Sequence, residues 1–215
     1  MASEITAAML LRAYRMGIFP MAESRSDERI FWVNPEARGI LPLDGFHLSR
    51  SLRRTILKAP LRASLNADFP GVVRACADRE ETWINGTIFD LYLELHRWGY
   101  AHSLEIWHDG VLAGGVYGVA LGQAFFGESM FSRRRDGSKI ALAWLVAHLG
   151  ACGFTLFDTQ FLTPHLASLG GKEIPRDQYL ARLAQACSRP ADITALPLPD
   201  AYSVVQRITQ TSKRG

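Results

Sequence analysis

The chain predicts an α/β fold of the mixed α+β kind, built on one mixed sheet, and two observations carry that expectation. From Leu61 onward, strand-like and helix-like stretches follow in the order β-α-α-β-β-β-α-β-α. The strand candidates are short apolar or alternating runs joined by tight-turn pairs, Asp109-Gly110 and Leu121-Gly122, whereas the helix candidates repeat apolar residues at helical spacing. With 215 residues, 48% of them hydrophobic, the chain can bury a substantial core in one large domain or two small ones.

Taken in order, Thr6 is placed to cap a helix whose apolar positions Met9, Leu10, Ala13 and Tyr14 recur at helical spacing, with Gly17 ending it. Pro20 breaks regularity, and "RIFWV" and "RGILPL" read as short strands around the turn "NPEA". Ser49 caps a basic helix running to Lys58, closed by Pro60. "LRASLN" alternates as a strand does, "DFPGVVRACAD" is a short helix, and "GTIFDLYLELHRWG" carries the buried stripe Ile88, Leu91, Tyr92 and Leu95. Three strands follow, "AHSLEIW", "VLAGGVYGVAL" and "QAFFGESM". The helix "SKIALAWLVAHLGACG" stops at Gly153, and "FTLFD" is a buried strand. Helices "TPHLASLG" and "RDQYLARLAQAC" flank "KEIP", and a loose or packing-only tail follows Pro190. The expected division is a small N-terminal domain over residues 1–55, with its boundary between 45 and 62, a larger domain over 56–190 and a tail over 191–215.

That order is the one found in the acetyltransferase-like fold, whose mixed sheet splays in the middle to admit a substrate. Fold does not give function. The fold ordinarily holds a coenzyme A pyrophosphate on an Arg/Gln-x-x-Gly-x-Gly/Ala turn at the head of its central helix. The equivalent stretch here is Arg134-Arg135-Asp136-Gly137-Ser138-Lys139, where a lysine replaces the last small residue and Asp136 repels a phosphate. A coenzyme A-dependent N-acetyltransferase stays open as an alternative.

Composition narrows the remaining classes. No apolar run approaches the roughly 18–20 residues that cross a bilayer, and the first residues lack a basic n-region and cleavage site, so neither a membrane span nor a secretory signal is expected. Cys76, Cys152 and Cys187 are odd in number and widely spread, which favours a reducing compartment, the cytoplasm, over disulfides or zinc. His96, His102 and His108 fall on different elements and are expected in structural or surface roles, leaving no metal site. The net charge is only +3, yet "HLSRSLRRTILKAPLR" holds Arg50, Arg53, Arg54, Lys58 and Arg62 without an acid. A solvated helix face accounts for such a run, and so does a polyanion site; a non-catalytic tRNA- or RNA-binding protein is thus a further alternative.

Several segments together resemble one family, the bacterial leucyl/phenylalanyl-tRNA–protein transferases: "LLRAYRMGIFPM", "FWVNPEARGIL", "HLSRSLRR", "TWIN", "YLELHRWGYAHSLEIW", "GGVYGVALGQAFFGESMFSR", "SKIALAWL" and "FDTQFLTPHLASLGGKEIPR". They occur in family order over most of residues 8–180, and "GESMFSR" and the Asp-x-Gln run are specific. Thr159 stands where cysteine is common, and the N-terminal lead is shorter than in many members. The resemblance implies an enzyme that moves Leu, Phe and, less readily, Met from aminoacyl-tRNA to proteins with N-terminal Arg or Lys and so marks them for degradation. A sibling group that acts on N-terminal Asp or Glu fits the motifs less well. No cofactor is implied, because the aminoacyl ester is already activated, and a monomer suffices.

The resemblance also assigns residues. Asp158 and Gln160 end "FTLFDTQ", where alternation puts them on one side of the sheet. Alone, such a carboxylate reads as a turn or cap residue. Within the family, Asp158 fixes the Gln160 amide, whose carbonyl orients the incoming amine; an amide is too weak a base to hold the proton. Glu128, a lone carboxylate in an apolar strand, needs partners. It either pairs with one of Arg133–Arg135 or lines the cleft and takes the cationic acceptor, with Ser129 adding a hydrogen bond. Val116, Phe125, Met130, Leu145 and Leu149 correspond to the family's pocket for the donor side chain, although each also reads as ordinary core. Trp32 and Trp83 match tryptophans that flank the terminal adenosine. Arg50, Arg53, Arg54 and Lys58 then hold acceptor-stem phosphates.

Overall fold

The computed structural model describes residues 5–27 and 29–211. Helix α1 (Ala7–Arg15) is capped as expected, the Thr6 hydroxyl accepting the Met9 N–H at 3.3 Å, and the chain turns away at Gly17 with φ +76°. Strand β1 (Phe19–Met21) pairs antiparallel with β2 (Phe31–Val33) in a ribbon of its own. The next strand, β3 (Ala37–Ile40), lies within the residues expected as a small N-terminal domain, yet it enters the large sheet. Helix α2 (Arg50–Lys58) starts at Ser49, whose hydroxyl accepts the Leu52 N–H, and strand β4 (Leu61–Leu65) follows. Asp68 and Asn85 cap α3 (Phe69–Ala77) and α4 (Gly86–Arg97) through the N–H groups of Gly71 and Ile88.

Strands β5 (Ala101–His108), β6 (Val111–Leu121) and β7 (Ala124–Ser132) form an antiparallel meander, which short turns allow. Helix α5 (Gly137–Ala151) is the crossover that brings β8 (Leu156–Gln160) parallel to β7. Short α6 (Pro164–Ser168), strand β9 (Lys172–Pro175), α7 (Arg176–Cys187) and α8 (Ala201–Thr211) complete the chain. The large sheet has the order β4-β5-β6-β7-β8-β3-β9. The run from β4 to α7 therefore keeps the acetyltransferase-like sequence of elements, with β9 inserted as an edge strand at "KEIP". The expected tail contains a packed helix: Val204, Val205 and Ile208 of α8 are buried against α5 and α2.

Neighbouring strand residues feed opposite faces, so the sheet separates two apolar layers. Tyr117, Val119 and Phe126 join α1, α3, α4 and α7 on one face, while Val116, Phe125 and Phe157 join α2, α5 and α8 on the other.

Three irregularities interrupt the pairing, and two of them fall on the neighbouring strands β7 and β8. Tyr117 pairs with Ser129 and Gly118 with Gly127, which leaves Glu128 as the extra residue of a β-bulge. Gly39 pairs with Gln160 and Ile40 with Asp158, which leaves Thr159 in the same position on β8. Gly118 permits the first bulge, because a Cβ there would collide with the main-chain oxygen of Phe126 and the ring of Phe125. Gly118→Ala is accordingly expected to lower the unfolding free energy by about 1–3 kcal/mol. Gly150→Ala, on α5 with nothing within 4 Å of the added atom, should leave it unchanged or raise it by up to about 1 kcal/mol. Urea unfolding of both variants checks this, and equal midpoints would contradict the role given to Gly118.

Candidate active site

The two bulges face one cleft of about 350 Å³. Val116, Glu128, Ser129 and Met130 supply one wall, Phe157, Thr159 and Gln160 the other, and Met21, Trp83 and Phe161 stand around it. The bulge on β7 explains how a carboxylate sits in an apolar strand: the inserted residue leaves the alternation and turns its side chain into the cleft.

Glu128 has only 7% of its surface exposed. The Tyr92 hydroxyl hydrogen-bonds its Oε2 at 2.6 Å, and the Tyr14 hydroxyl lies 2.6 Å from that of Tyr92. Burial pushes its pKa up to about 7, against the opposing pull of hydrogen bonds from Tyr92, Tyr14 and Gln160; the negative charge of Asp158 adds to the rise. Burial also raises both tyrosines well above the usual phenol range, so they remain protonated donors. Oε1 of Glu128 and Nε2 of Gln160 are buried and have no partner at hydrogen-bonding distance, although the amide is near enough to lower the carboxyl pKa. The arginine alternative for Glu128 does not hold. Arg133 lies over the Phe131 ring, Arg134 meets His108, and Arg135 faces Asp136.

Asp158 is fully buried and sits behind the cleft rather than in it. Arg38 binds it in bidentate fashion, Nε to Oδ1 at 2.9 Å and Nη2 to Oδ2 at 2.6 Å, and the Tyr179 hydroxyl donates to Oδ2 at 2.6 Å. The main-chain N–H of Gln160 donates to Oδ1 at 2.7 Å. So the expected bond from Asp158 to Gln160 exists, but it grips the backbone and not the side-chain amide. Gln160 is held at φ +62°, a left-handed conformation that costs a non-glycine residue about 1–3 kcal/mol unless its surroundings enforce it. This turn breaks the alternation predicted from the sequence. Asp158 faces α7 while Gln160, two residues on, lines the cleft.

Arg38 itself is 1% exposed and lies between the rings of Phe19 and Tyr179, 4.6 and 4.5 Å from their centres, with Nη1 donating to the Gly17 carbonyl at 2.8 Å. Burial works against its charge, but hydrogen bonds and charge from Asp158 outweigh it and raise the pKa. Breaking such a pair by removing one partner costs about 3–5 kcal/mol.

Of the residues expected here, Trp83, Val116, Ser129 and Met130 line the cleft beside Glu128 and Gln160. Phe125, Leu145 and Leu149 do not; they lie in the core, where the Phe125 ring packs edge-on against Phe157 at 5.4 Å. On α5 it is Leu142 that reaches the cleft. Trp32, on β2, is 40% exposed and outside the lining; its partner strand brings Met21 there instead. Arg50, Arg53, Arg54 and Lys58 are exposed on α2, and none of them touches the cleft. Sequence reasoning passed over Arg38, Tyr179, Tyr14, Tyr92 and Arg79. The two helix tyrosines carried a usable signal, since a phenol on a buried stripe needs a partner. Arg79 braces the wall by donating to the Ser129 hydroxyl at 3.2 Å and the Met130 carbonyl at 3.0 Å. At the head of α5, the Asp136 carboxylate stands 3.4 Å from Lys139, a negative group where a coenzyme A turn presents bare N–H groups.

A mixed sheet interrupted by bulges thus encloses an apolar cleft with a carboxylate and a carboxamide at its centre. Residues 40–184 match the family model of leucyl/phenylalanyl-tRNA protein transferase, and residues 3–36 match that of its N-terminal domain. The leucyl/phenylalanyl-tRNA–protein transferase of Ruegeria sp. (strain TM1040) is 62% identical over 97% of this chain and 99% of that protein. That of Paracoccus denitrificans (strain Pd 1222) is 55% identical over 99% of this chain and all of its own length. A looser likeness links the chain to the solved L-PGS of Bacillus licheniformis, at 13% identity and a TM-score of 0.42 over 70% of this chain and 51% of that one. The chain belongs to the leucyl/phenylalanyl-tRNA protein transferase family and is an aminoacyltransferase.

The raised pKa of Glu128 makes a stability prediction with a definite sign. A carboxyl whose folded pKa, about 7, exceeds its ordinary 4.5 contributes stability that is complete below pH 4.5 and is lost as pH rises through 7. In urea unfolding, wild type should weaken relative to Glu128→Gln between those two pH values, and parallel declines would contradict the assignment.

Proposed function

We propose that the protein transfers Leu, Phe and, less efficiently, Met from aminoacyl-tRNA to the α-amino group of proteins whose first residue is Arg or Lys, marking them for degradation. The observation that carries this reading is the meeting of Glu128 and Gln160 in one cleft beside the apolar surface of Val116 and Met130.

The reaction is aminolysis of an ester. The acceptor nitrogen attacks the carbonyl carbon, a C–N bond forms, and the C–O bond to the ribose breaks. The amine proton ends on the leaving ribose oxygen, relayed by the neighbouring 2′-hydroxyl. Gln160 accepts a hydrogen bond from the amine and steadies the positive charge that grows on nitrogen, while Asp158 acts from behind by fixing the Gln160 backbone. The free Oε1 of Glu128 receives the ammonium or guanidinium of the acceptor's first residue. Val116 and Met130 take the donor side chain; a pocket of this kind separates residues by only ~1–3 kcal/mol per methylene, which suits mixed Leu, Phe and Met use. Trp83 stacks on the terminal adenosine, with Trp32 on the adjoining ribbon as its partner, and the α2 cations hold acceptor-stem phosphates.

Removing Asp158 strands the buried Arg38, so Gln160→Ala is the variant that reads chemistry. With labelled leucyl-tRNA and peptides starting with Arg, Lys, Asp or Ala, wild type should modify the Arg and Lys peptides alone. Gln160→Ala should lose roughly 100-fold or more in kcat, and Glu128→Gln should lose the preference for Arg over Ala. Full activity of Gln160→Ala, acceptance of Asp but not Arg, or tRNA binding without turnover would each overturn the proposal.

A further inference from the structure

Beside the cleft lies a second hollow, of about 380 Å³. Arg25, Arg74 and Arg133 line it from three separate segments. Against these three guanidiniums the hollow presents a single carboxylate, Asp78, which leaves two net positive charges. Among the described residues none of the three arginines makes a salt bridge. Each is nevertheless held in place. Arg74 lies 5.4 Å over the Phe89 ring and Arg133 5.7 Å over the Phe131 ring, and Arg25 donates to the Ala77 carbonyl at 2.5 Å. A guanidinium anchored by its face keeps its in-plane N–H donors free to grip an anion.

The position of the hollow decides what anion it suits. Arg79 and Trp83 line the cleft, while Ala77, Asp78, Ile84 and Asn85 line the hollow, so one segment forms a wall of each. Arg133 follows directly on β7, whose Glu128–Met130 stretch lines the cleft. Helix α4 begins at the hollow with Gly86 and carries no acid in its first turn, which adds to the positive potential set by the arginines.

From this we propose that Arg25, Arg74 and Arg133 form a phosphodiester subsite, one that takes the 3′-terminal internucleotide phosphate of the donor RNA while the last nucleoside occupies the cleft. The inference rests on the aminoacyl-tRNA reading given above. The subsite is separate from the cations of α2, none of which lines either hollow. Its work is to hold the last nucleotide in register with the reacting ester, with little information about sequence.

The test uses full-length wild type and the double variant Arg74→Glu/Arg133→Glu, both exposed positions, with circular dichroism to confirm folding. Adenosine and the dinucleotide CpA are compared as competitive inhibitors of leucine transfer, and KM for leucyl-tRNA is followed against salt. Wild type should bind CpA about tenfold or more tightly than adenosine, and the variant should bind both alike. The variant should also raise KM by a larger factor than it lowers kcat, and flatten the salt dependence by about 0.7 in log–log slope, the share of one single-strand phosphate. Arg74→Lys/Arg133→Lys should recover part of the loss. An unchanged advantage of CpA over adenosine in the charge-reversed variant would overturn the subsite. Failure of wild type to transfer leucine, or to be inhibited by either compound, would instead overturn the aminoacyl-tRNA reading.

Discussion

The pair between Arg38 and Asp158 is the interaction on which the site depends. Two buried ions are tolerated because each charged nitrogen and oxygen has a partner: Arg38 binds both carboxylate oxygens and the Gly17 carbonyl, and Tyr179 and the Gln160 N–H complete the carboxylate. The pair thereby joins parts of the chain that have no local reason to meet. The end of α1, strand β3, the end of β8 and helix α7 converge on it. Its direct product is the left-handed turn at Gln160, which a glutamine would not adopt unaided.

Polar chemistry inside an apolar sheet is obtained here by irregular pairing. An unbroken ladder would send Glu128 and Gln160 wherever alternation dictated. One inserted residue on β7 and one on β8 release both side chains toward the same cavity, and α1 and α4 supply the tyrosine pair that receives Glu128 from behind. Burial there pushes the carboxyl pKa up to about 7.

Much of the scaffold was legible in the sequence. The caps Thr6 and Ser49, the stripe of Ile88, Leu91, Tyr92 and Leu95, and the Asp109-Gly110 turn, whose φ angles are +51° and +76°, depend on neighbours within a few residues. The bulges were not legible, since an inserted residue shows only after two strands are aligned. Arg38 was hidden for a similar reason, its partner lying 120 residues away. "KEIP" was too short to declare itself a strand before β3 offered an edge. The α8 pattern of Val204, Val205 and Ile208 was present but obscured by the proline-rich "ALPLPD" before it. Leu145 and Leu149 illustrate the limit of a helical pattern. On α5, which is buried on nearly every side, periodicity does not single out the turn that faces the cleft, and that turn belongs to Leu142.

Under the proposed function Asp158 acts through Gln160 without touching the substrate, and a double-mutant cycle on the rate of leucine transfer tests that proposal most directly. Asp158→Asn keeps the volume but leaves one acceptor oxygen for donors from Arg38, Tyr179 and Gln160. If Asp158 serves only to set the Gln160 backbone, Asp158→Asn alone lowers kcat, while Asp158→Asn/Gln160→Ala is no slower than Gln160→Ala. Losses that multiply in the double variant would show that the two residues act independently.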